Sequence, residues 1–237
     1  KGQGKLISVG ILIALVILYS SVTIIRNSDW KDEETLLKKA IEASPISTDA
    51  YWALGSYYEK NKKYDLAKYN LHRAVELSKG NYIALELLGV IYAEMNDYEN
   101  AIFYLKRAIE TAPVEEEGYY RAHNDLGLVY SYARDFNNSI YYLEKAVQIN
   151  PELSKAHNDL GIVYAQIGKF DDAIKKINRA IEINPYEADY YFNLAVIYGY
   201  FGDNKKAKDL LAKGLEIEPN NEKIKEKLNQ LMVQESQ

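Results

Sequence analysis

The stretch Ala122-His123-Asn124-Asp125-Leu126-Gly127-Leu128-Val129-Tyr130 returns almost unchanged, 34 positions on, as Ala156-His157-Asn158-Asp159-Leu160-Gly161-Ile162-Val163-Tyr164. Weaker copies of its centre lie on both sides: Leu54-Gly55-Ser56-Tyr57-Tyr58, Leu88-Gly89-Val90-Ile91-Tyr92 and Leu194-Ala195-Val196-Ile197-Tyr198. A fixed period of this length means stacked supersecondary units, none of which can bury its apolar face alone. Each unit reads as two helices. The first carries Leu, a small residue and Tyr at i, i+1 and i+4, which sets Leu and Tyr on one face. The second opens near an aromatic (Tyr64, Tyr98, Phe136, Phe170) and continues with a small residue (Ala67, Ala101, Ser139, Ala173, Ala207). Another small residue follows seven positions later (Ala74, Ala108, Ala146, Ala180, Gly214). Pro113, Pro151, Pro185 and Pro219 come five residues after that. Each proline stops the second helix, because it lacks an amide hydrogen and clashes with the preceding turn. Full repeats then begin at Thr48, Tyr82, Tyr120, Ser154 and Ala188.

Gly55, Gly89, Gly127 and Gly161 sit in mid-helix, where each costs about 0.8–1 kcal/mol relative to alanine. Close approach of the partner helix, at a point where no side chain fits, is the natural offset. Ala195 shows that a methyl group is tolerated at this slot once. Gly89 and Gly127 are 38 positions apart, four over the period. The extra residues fall around Pro113-Val114-Glu115-Glu116-Glu117-Gly118-Tyr119. Glutamates after a proline suit a helix N-terminus, where carboxylates oppose the dipole, so a first helix lengthened by a turn is predicted here.

The run Leu-Gly-x-x-Tyr, then Ala, Ala and Pro, at period 34 over five iterations, resembles the tetratricopeptide repeat. The resemblance covers about residues 30–219. It departs at Leu71, Leu105, Leu143, Ile177 and Leu211, where the family often has an aromatic, at Lys79 in place of proline, and at Asn204 in place of an aromatic. The implied fold is all-α, a tetratricopeptide α-solenoid: a right-handed superhelix of antiparallel helix pairs. The expected boundaries are a partial first repeat at 29–47, repeats at 48–81, 82–119 (with the insertion), 120–153, 154–187 and 188–220, and a capping helix and tail at 221–237. Residues 29–43 fit only a second helix, with Trp30, Leu37 and Ala40 in its slots and Asp29 as its N-cap. At the other end Ile224, Leu228, Leu231 and Met232 form one apolar stripe opposite many Lys and Glu, as a cap with a solvated outer face requires.

Residues 6–25 contain no charge, and twenty helical residues span about 30 Å, the thickness of a bilayer's hydrocarbon core. Lys1 and Lys5 flank one end and Arg26 the other. A cleavable signal peptide has a shorter apolar core, about 7–15 residues, and a small-residue cleavage site that is missing before Arg26. One transmembrane helix at 6–26, after a flank at 1–5, is therefore expected ahead of the array. Lys1 and Lys5 favour a cytoplasmic N-terminal side, which sets the array outside, while Arg26, Lys31, Lys38 and Lys39 follow closely on the other side and pull against it. The chain begins with Lys1 instead of Met, as a processed chain or a piece of a longer one would.

Chemistry is hard to find in these residues. There is no cysteine, hence no disulfide and no thiolate metal site. A net charge of −5 speaks against a nucleic-acid binder, which needs a basic stripe. No phosphate loop, nucleophile elbow or metalloprotease helix occurs, so neither an enzyme nor a cofactor is expected. His123 and His157 occupy the same slot one unit apart, roughly a helix-pair width of about 10 Å. Two imidazoles on one ion need about 4 Å between their nitrogens, so both are assigned to packing. His72 stands alone and is expected to be exposed. The 22 tyrosines against five phenylalanines suit a thin array with much half-buried surface.

The family resemblance further implies that slots 2, 5, 6, 9, 12 and 13 of each first helix line a concave groove. Carried onto this chain, the groove includes Trp52, Asn124, Asp125, Leu128, Asn158, Asp159, Ile162, Phe192 and Asn193. Asn124/Asp125, Asn158/Asp159 and Asn193 make a polar ladder beside the apolar strip Leu128, Ile162 and Val196. The ladder is similar to the asparagine ladder of the nucleocytoplasmic N-acetylglucosamine transferase, and it lacks the carboxylate-clamp pattern of chaperone-binding repeats. Two readings of it stand: it holds an extended, Lys- or Arg-containing peptide, or it only caps and solvates the helices. The leading function is a membrane-tethered scaffold for a protein or peptide, with self-association left open. The alternative rests on Arg26-Asn27-Ser28-Asp29-Trp30-Lys31-Asp32-Glu33-Glu34-Thr35-Leu36, which resembles the segment after the last span in O-mannosyltransferase-like membrane proteins. Such a tail would lie outside the cytoplasm, with the catalytic part upstream of Lys1.

Overall fold

The structure is a computed structural model that describes residues 32–234, and every described regular element is α-helical. The twelve described helices are α1 (Glu33–Ala43), α2 (Thr48–Lys60), α3 (Tyr64–Leu77), α4 (Tyr82–Glu94), α5 (Tyr98–Thr111) and α6 (Glu117–Tyr132), then α7 (Phe136–Ile149), α8 (Ser154–Gln166), α9 (Phe170–Ile183), α10 (Ala188–Tyr200), α11 (Asn204–Ile217) and α12 (Glu222–Gln234). They belong to two compact units, divided within α4 between Ile91 and Tyr92. The uncharged stretch at 6–25, with Asp29 and Trp30, lies outside the described residues. Among those that are described, no helix is long and apolar enough to cross a membrane.

One turn joins the two helices of every repeat. After α2 the amide of Lys62 donates to the Glu59 carbonyl and that of Lys63 to the Tyr58 carbonyl, both at 2.8 Å. This pair of bonds satisfies carbonyls that a helix end leaves open, and it requires a left-handed residue between them. That residue is Lys62, Asn96, Arg134, Gly168 or Gly202, with φ between 56° and 80°. The accepting carbonyl belongs each time to the tyrosine of the Leu-Gly-x-x-Tyr run (Tyr58, Tyr92, Tyr130, Tyr164, Tyr198). Asp97, Asp135 and Asp203 then cap the second helices. Those helices end at Thr111, Ile149, Ile183 and Ile217, two residues before each proline, and α3 ends equally at Leu77 before Lys79.

In the first unit Leu54, Tyr58, Ala67, Leu71 and Ala74 make the interior between α2 and α3. Tyr58 donates to Glu34 of α1 at 2.9 Å. In the second unit each apolar cluster joins a second helix to the next first helix. Ala173, Ile177 and Ala180 of α9 pack with Tyr190, Leu194 and Ile197 of α10, and Leu143 of α7 packs with Leu160 and Val163 of α8. The glycines mark the tightest crossings. A Cβ on Gly55 would lie 2.6 Å from Leu71 Cγ, one on Gly127 2.7 Å from Leu143 Cγ, and one on Gly161 2.6 Å from Ile177 Cγ1. These are the aliphatic side chains that stand where the repeat pattern often has an aromatic.

The inserted residues lengthen α6 to 16 residues, against 13 in α8. Three positions differ from expectation. The cap of α1 is Asp32, whose carboxylate accepts from Thr35 N at 2.8 Å, so the described helix starts later than Asp29. His72 is half-buried, and that burial lowers its pKa. Met232 is exposed, because α12 turns Ile224, Leu228 and Leu231 onto the array and leaves Met232 and Val233 in solvent.

Candidate functional site

In the second unit the first helices α6, α8 and α10 stack so that slot 5 of one meets slot 6 of the next. Asn124 Nδ2 donates to Asp159 Oδ2 at 3.1 Å, and Asn193 Nδ2 donates to Asn158 Oδ1 at 2.9 Å. Asn158 Nδ2 closes the chain onto Asp159 Oδ1 at 3.2 Å. The ladder exists, but its rungs bond to one another along the stack. Asn124, Asn158 and Asp159 are 1%, 6% and 5% exposed. Asp125 is half-buried and accepts from Lys155 Nζ at 3.2 Å. Asp159 is closed off from solvent, and Asp125 already holds the half-exposed Lys155 ammonium.

This seam shapes the local electrostatics. Burial pushes the Asp159 carboxyl up, against the pull of Lys155 and the amides of Asn124 and Asn158. Burial also works against the Lys155 ammonium, but Asp125 and Asp159 outweigh it and raise its pKa. Asn124 Oδ1 is buried with no partner, a cost the seam carries.

The apolar slots form the open part of the surface. Ile162, Ala165 and Gln166 of α8 and Phe192, Asn193, Val196, Ile197 and Tyr200 of α10 line a cleft of about 620 Å³, with Phe170 and Ile177 at its floor. Val196 and Tyr200 are exposed, and the amine of Lys223 covers one face of Phe192 at 4.1 Å from the ring centre. The Ser131 hydroxyl donates to Gln166 Oε1 at 2.9 Å and fixes that side chain at the rim. Of the sequence-predicted residues, the cleft brings together Ile162, Phe192 and Asn193, with Val196 of the apolar strip. Leu128 is half-buried on α6, and Trp52 stands on α2 in the first unit, where its indole donates to Asp49. Gln166, Phe170 and Tyr200 were not foreseen. Gln166 and Tyr200 hold slot 13, which the groove pattern includes, so reading that slot would have found them.

His123 and His157 are buried, as a packing role requires, and burial lowers the pKa of both. Among the described residues no group of three or more His, Cys, Asp or Glu side chains is arranged to hold a metal.

Two family models, both described as tetratricopeptide repeat, match residues 48–81, 82–115 and 120–153, and residues 152–219. The chain belongs to the tetratricopeptide repeat family. Solved tetratricopeptide structures repeat the fold. TTC0263 of Thermus thermophilus is 20% identical over 79% of this chain and all of its own, with a TM-score of 0.69. PilW, a type IV pilus biogenesis factor, is 16% identical over 91% of this chain and 98% of its own, with a TM-score of 0.73. YrrB, described as having an unusual peptide-binding site, is 23% identical over 79% of this chain and 95% of its own, with a TM-score of 0.54. At these identities the likeness is one of fold. No curated protein matches the chain.

Proposed function

We propose that this chain is a membrane-tethered tetratricopeptide scaffold that takes an extended segment of another protein into the cleft between α8 and α10. The observation that carries this reading is the apolar lining. Ile162, Phe192, Val196 and Tyr200 surround a space large enough for one or two bulky side chains, and the buried rungs Asn124, Asn158 and Asp159 beside them bond along the stack. Recognition therefore runs through apolar side chains of the segment, with Asn193 and Gln166 at the rim for its backbone. Grooves of this kind are mostly apolar with a few placed polar groups. The tether rests on the uncharged run at 6–25, with the array on the extracytoplasmic side.

Affinity capture with the whole chain tests the cleft. Val196→Glu places a charge in the apolar lining and is expected to abolish capture of the partner seen with the unmodified chain, while Trp52→Ala retains it. Equal capture by Val196→Glu sinks the reading. Removal of residues 1–26 is expected to release the chain from the membrane fraction. The junction 26–36 favours a second reading, in which the array is the tail of a polytopic glycosyltransferase-like enzyme. A run of further apolar spans encoded ahead of Lys1 supports it, and a start codon close by removes it.

A further inference from the structure

On the solvent face of the second helices one slot holds Tyr69, Phe103, Tyr141, Lys175 and Asp209 in successive repeats. In the second unit Phe103 and Tyr141, in the same slot of successive repeats, are 52% and 54% exposed. Each is the outer member of a pile of three. Phe103 sits edge-on to Tyr104 at 5.1 Å, and Tyr104 stacks on Tyr92 at 5.3 Å. Tyr141 sits edge-on to Tyr142 at 5.0 Å, and Tyr142 stacks on Tyr130 at 5.5 Å. Their partners therefore hold the exposed rings in place before anything binds.

Cations accompany the piles. Arg107 lies 5.6 Å from the centre of Phe103, Lys145 5.9 Å from Tyr141, and Lys106 5.8 Å from Tyr130. Lys145 Nζ donates to Gln148, and among the described residues none of the three has a carboxylate within ion-pair distance. By contrast Lys155, Arg179 and Lys223 of the same unit are each paired with an acid. Rigid aromatic rings beside arginine are the residue types that dominate binding energy at protein interfaces.

We propose that Phe103, Tyr141, Lys106, Arg107 and Lys145 form a second docking surface, on the outer face of α5 and α7, for an acidic segment of another protein that also carries aromatic side chains. The cations would neutralise its carboxylates, and the exposed rings would stack on its aromatics. A flat anionic bilayer fits less well. Glu99 and Glu110 are exposed at the two ends of the α5 stripe with Lys106 and Arg107 between them. Exposed Glu144 stands beside Lys145 on α7, so the cations form a short broken strip that suits one chain and not a plane.

The test uses the whole chain and a random copolymer of glutamate and tyrosine as the probe. Polylysine and vesicles of phosphatidylcholine with phosphatidylglycerol serve as comparison ligands. The copolymer is expected to bind, with affinity that falls as salt rises. Phe103→Ser with Tyr141→Ser is expected to weaken binding by about tenfold or more. Arg107→Glu with Lys145→Glu is expected to weaken it at least as much. Val196→Glu, in the cleft, leaves it unchanged. Phe103 and Tyr141 are half in solvent and Arg107 and Lys145 are part-exposed, and an unchanged melting curve confirms that the variants fold. The proposal is overturned by failure to bind the copolymer, by binding that ignores both double variants, by equal loss in Val196→Glu, by binding of anionic vesicles in place of the copolymer, or by self-association that the double variants abolish.

Discussion

Helices α6 and α8 carry the same Ala-His-Asn-Asp-Leu-Gly run, yet only its apolar half behaves the same in both. Leu126 and Leu160 are fully buried, and Gly127 and Gly161 each press on an aliphatic side chain of their own hairpin partner, Leu143 or Ile177. The polar half diverges. Asp159 is buried and takes two amide hydrogen bonds, whereas Asp125 meets Lys155 at the edge of the surface. His157 directs Nε2 at the Pro151 carbonyl, six residues back, at 3.0 Å, and His123 directs Nδ1 at the Tyr119 carbonyl, four back, at 2.8 Å. Tyr191, in the same slot of α10, follows His157 and donates to the Pro185 carbonyl at 3.0 Å. The lengthened α6 removes the proline carbonyl from reach and supplies a helical one. The glycine slot answers to the hairpin partner, and the leucine beside it to the aliphatic and alanine stripe that every second helix repeats. Polar slots answer to the neighbouring unit and the preceding loop, which vary.

The common half is broken by size. At Gly127 an added Cβ already meets Leu143 Cγ at 2.7 Å and the Leu143 backbone nitrogen at 3.0 Å, and backbone cannot step aside. Gly127→Leu is expected to cost about 3 kcal/mol, the upper end of overpacking losses, and Gly161→Leu a similar amount. Gly199 supplies the control. A Cβ there meets nothing closer than 3.9 Å, so Gly199→Ala should gain about 0.5–1 kcal/mol of helix propensity. Urea unfolding followed by circular dichroism reads all three. Similar midpoints for Gly127→Leu and Gly199→Ala would remove the close-approach account.

The divergent half is sharpened by removing each carboxylate. Asp159→Ala leaves the buried amides of Asn124 and Asn158 without an acceptor, and about 2 kcal/mol of stability should go with it. Asp125→Ala breaks one bond to a half-exposed lysine and should cost less than about 1 kcal/mol. Acid acts on Asp159 in an unusual direction. Its folded pKa is raised above the ordinary 3.8, so the folded state binds the proton more tightly than the unfolded chain. Its contribution is therefore most favourable below 3.8 and declines as pH rises through the raised value. Equal losses from the two substitutions at neutral pH would show that the buried seam has no special weight.

How much of this was legible follows the same division. The glycines, the small residues of the second helices and the stops before each proline could be read directly, because each expresses a constraint inside one hairpin. The left-handed turn residues were harder, since Lys62 and Arg134 stand where glycine would announce the conformation. The ladder was visible as a set of slots, but sequence does not say whether an asparagine turns outward to a ligand or along the stack to its neighbour. That choice depends on a donor and an acceptor 35 residues apart arriving within hydrogen-bond distance. The cleft was half visible: its slot 5, 6 and 9 residues were named, while Phe170 reaches it from the second helix.

The smallest effect distinguishes the two histidines. Burial lowers the pKa of both below the ordinary 6.5, so each stabilises the fold fully above 6.5 and loses that contribution as pH falls through its folded value. His157 also buries Nδ1 without a partner. His157→Tyr should copy Tyr191: the hydroxyl reaches the Pro151 carbonyl, the orphan nitrogen disappears, and no group at this slot titrates in the mildly acidic range. Stability at neutral pH should stay within about 1 kcal/mol of the unmodified chain, and less of it should be lost on moving from neutral pH into the mildly acidic range. His123→Tyr has no proline carbonyl six residues back, so its hydroxyl lacks that acceptor and the variant should be the less stable of the two. Thermal melts at two pH values decide the matter. Equal behaviour of the two variants would mean that the lengthened α6 does not set the side-chain geometry at this slot.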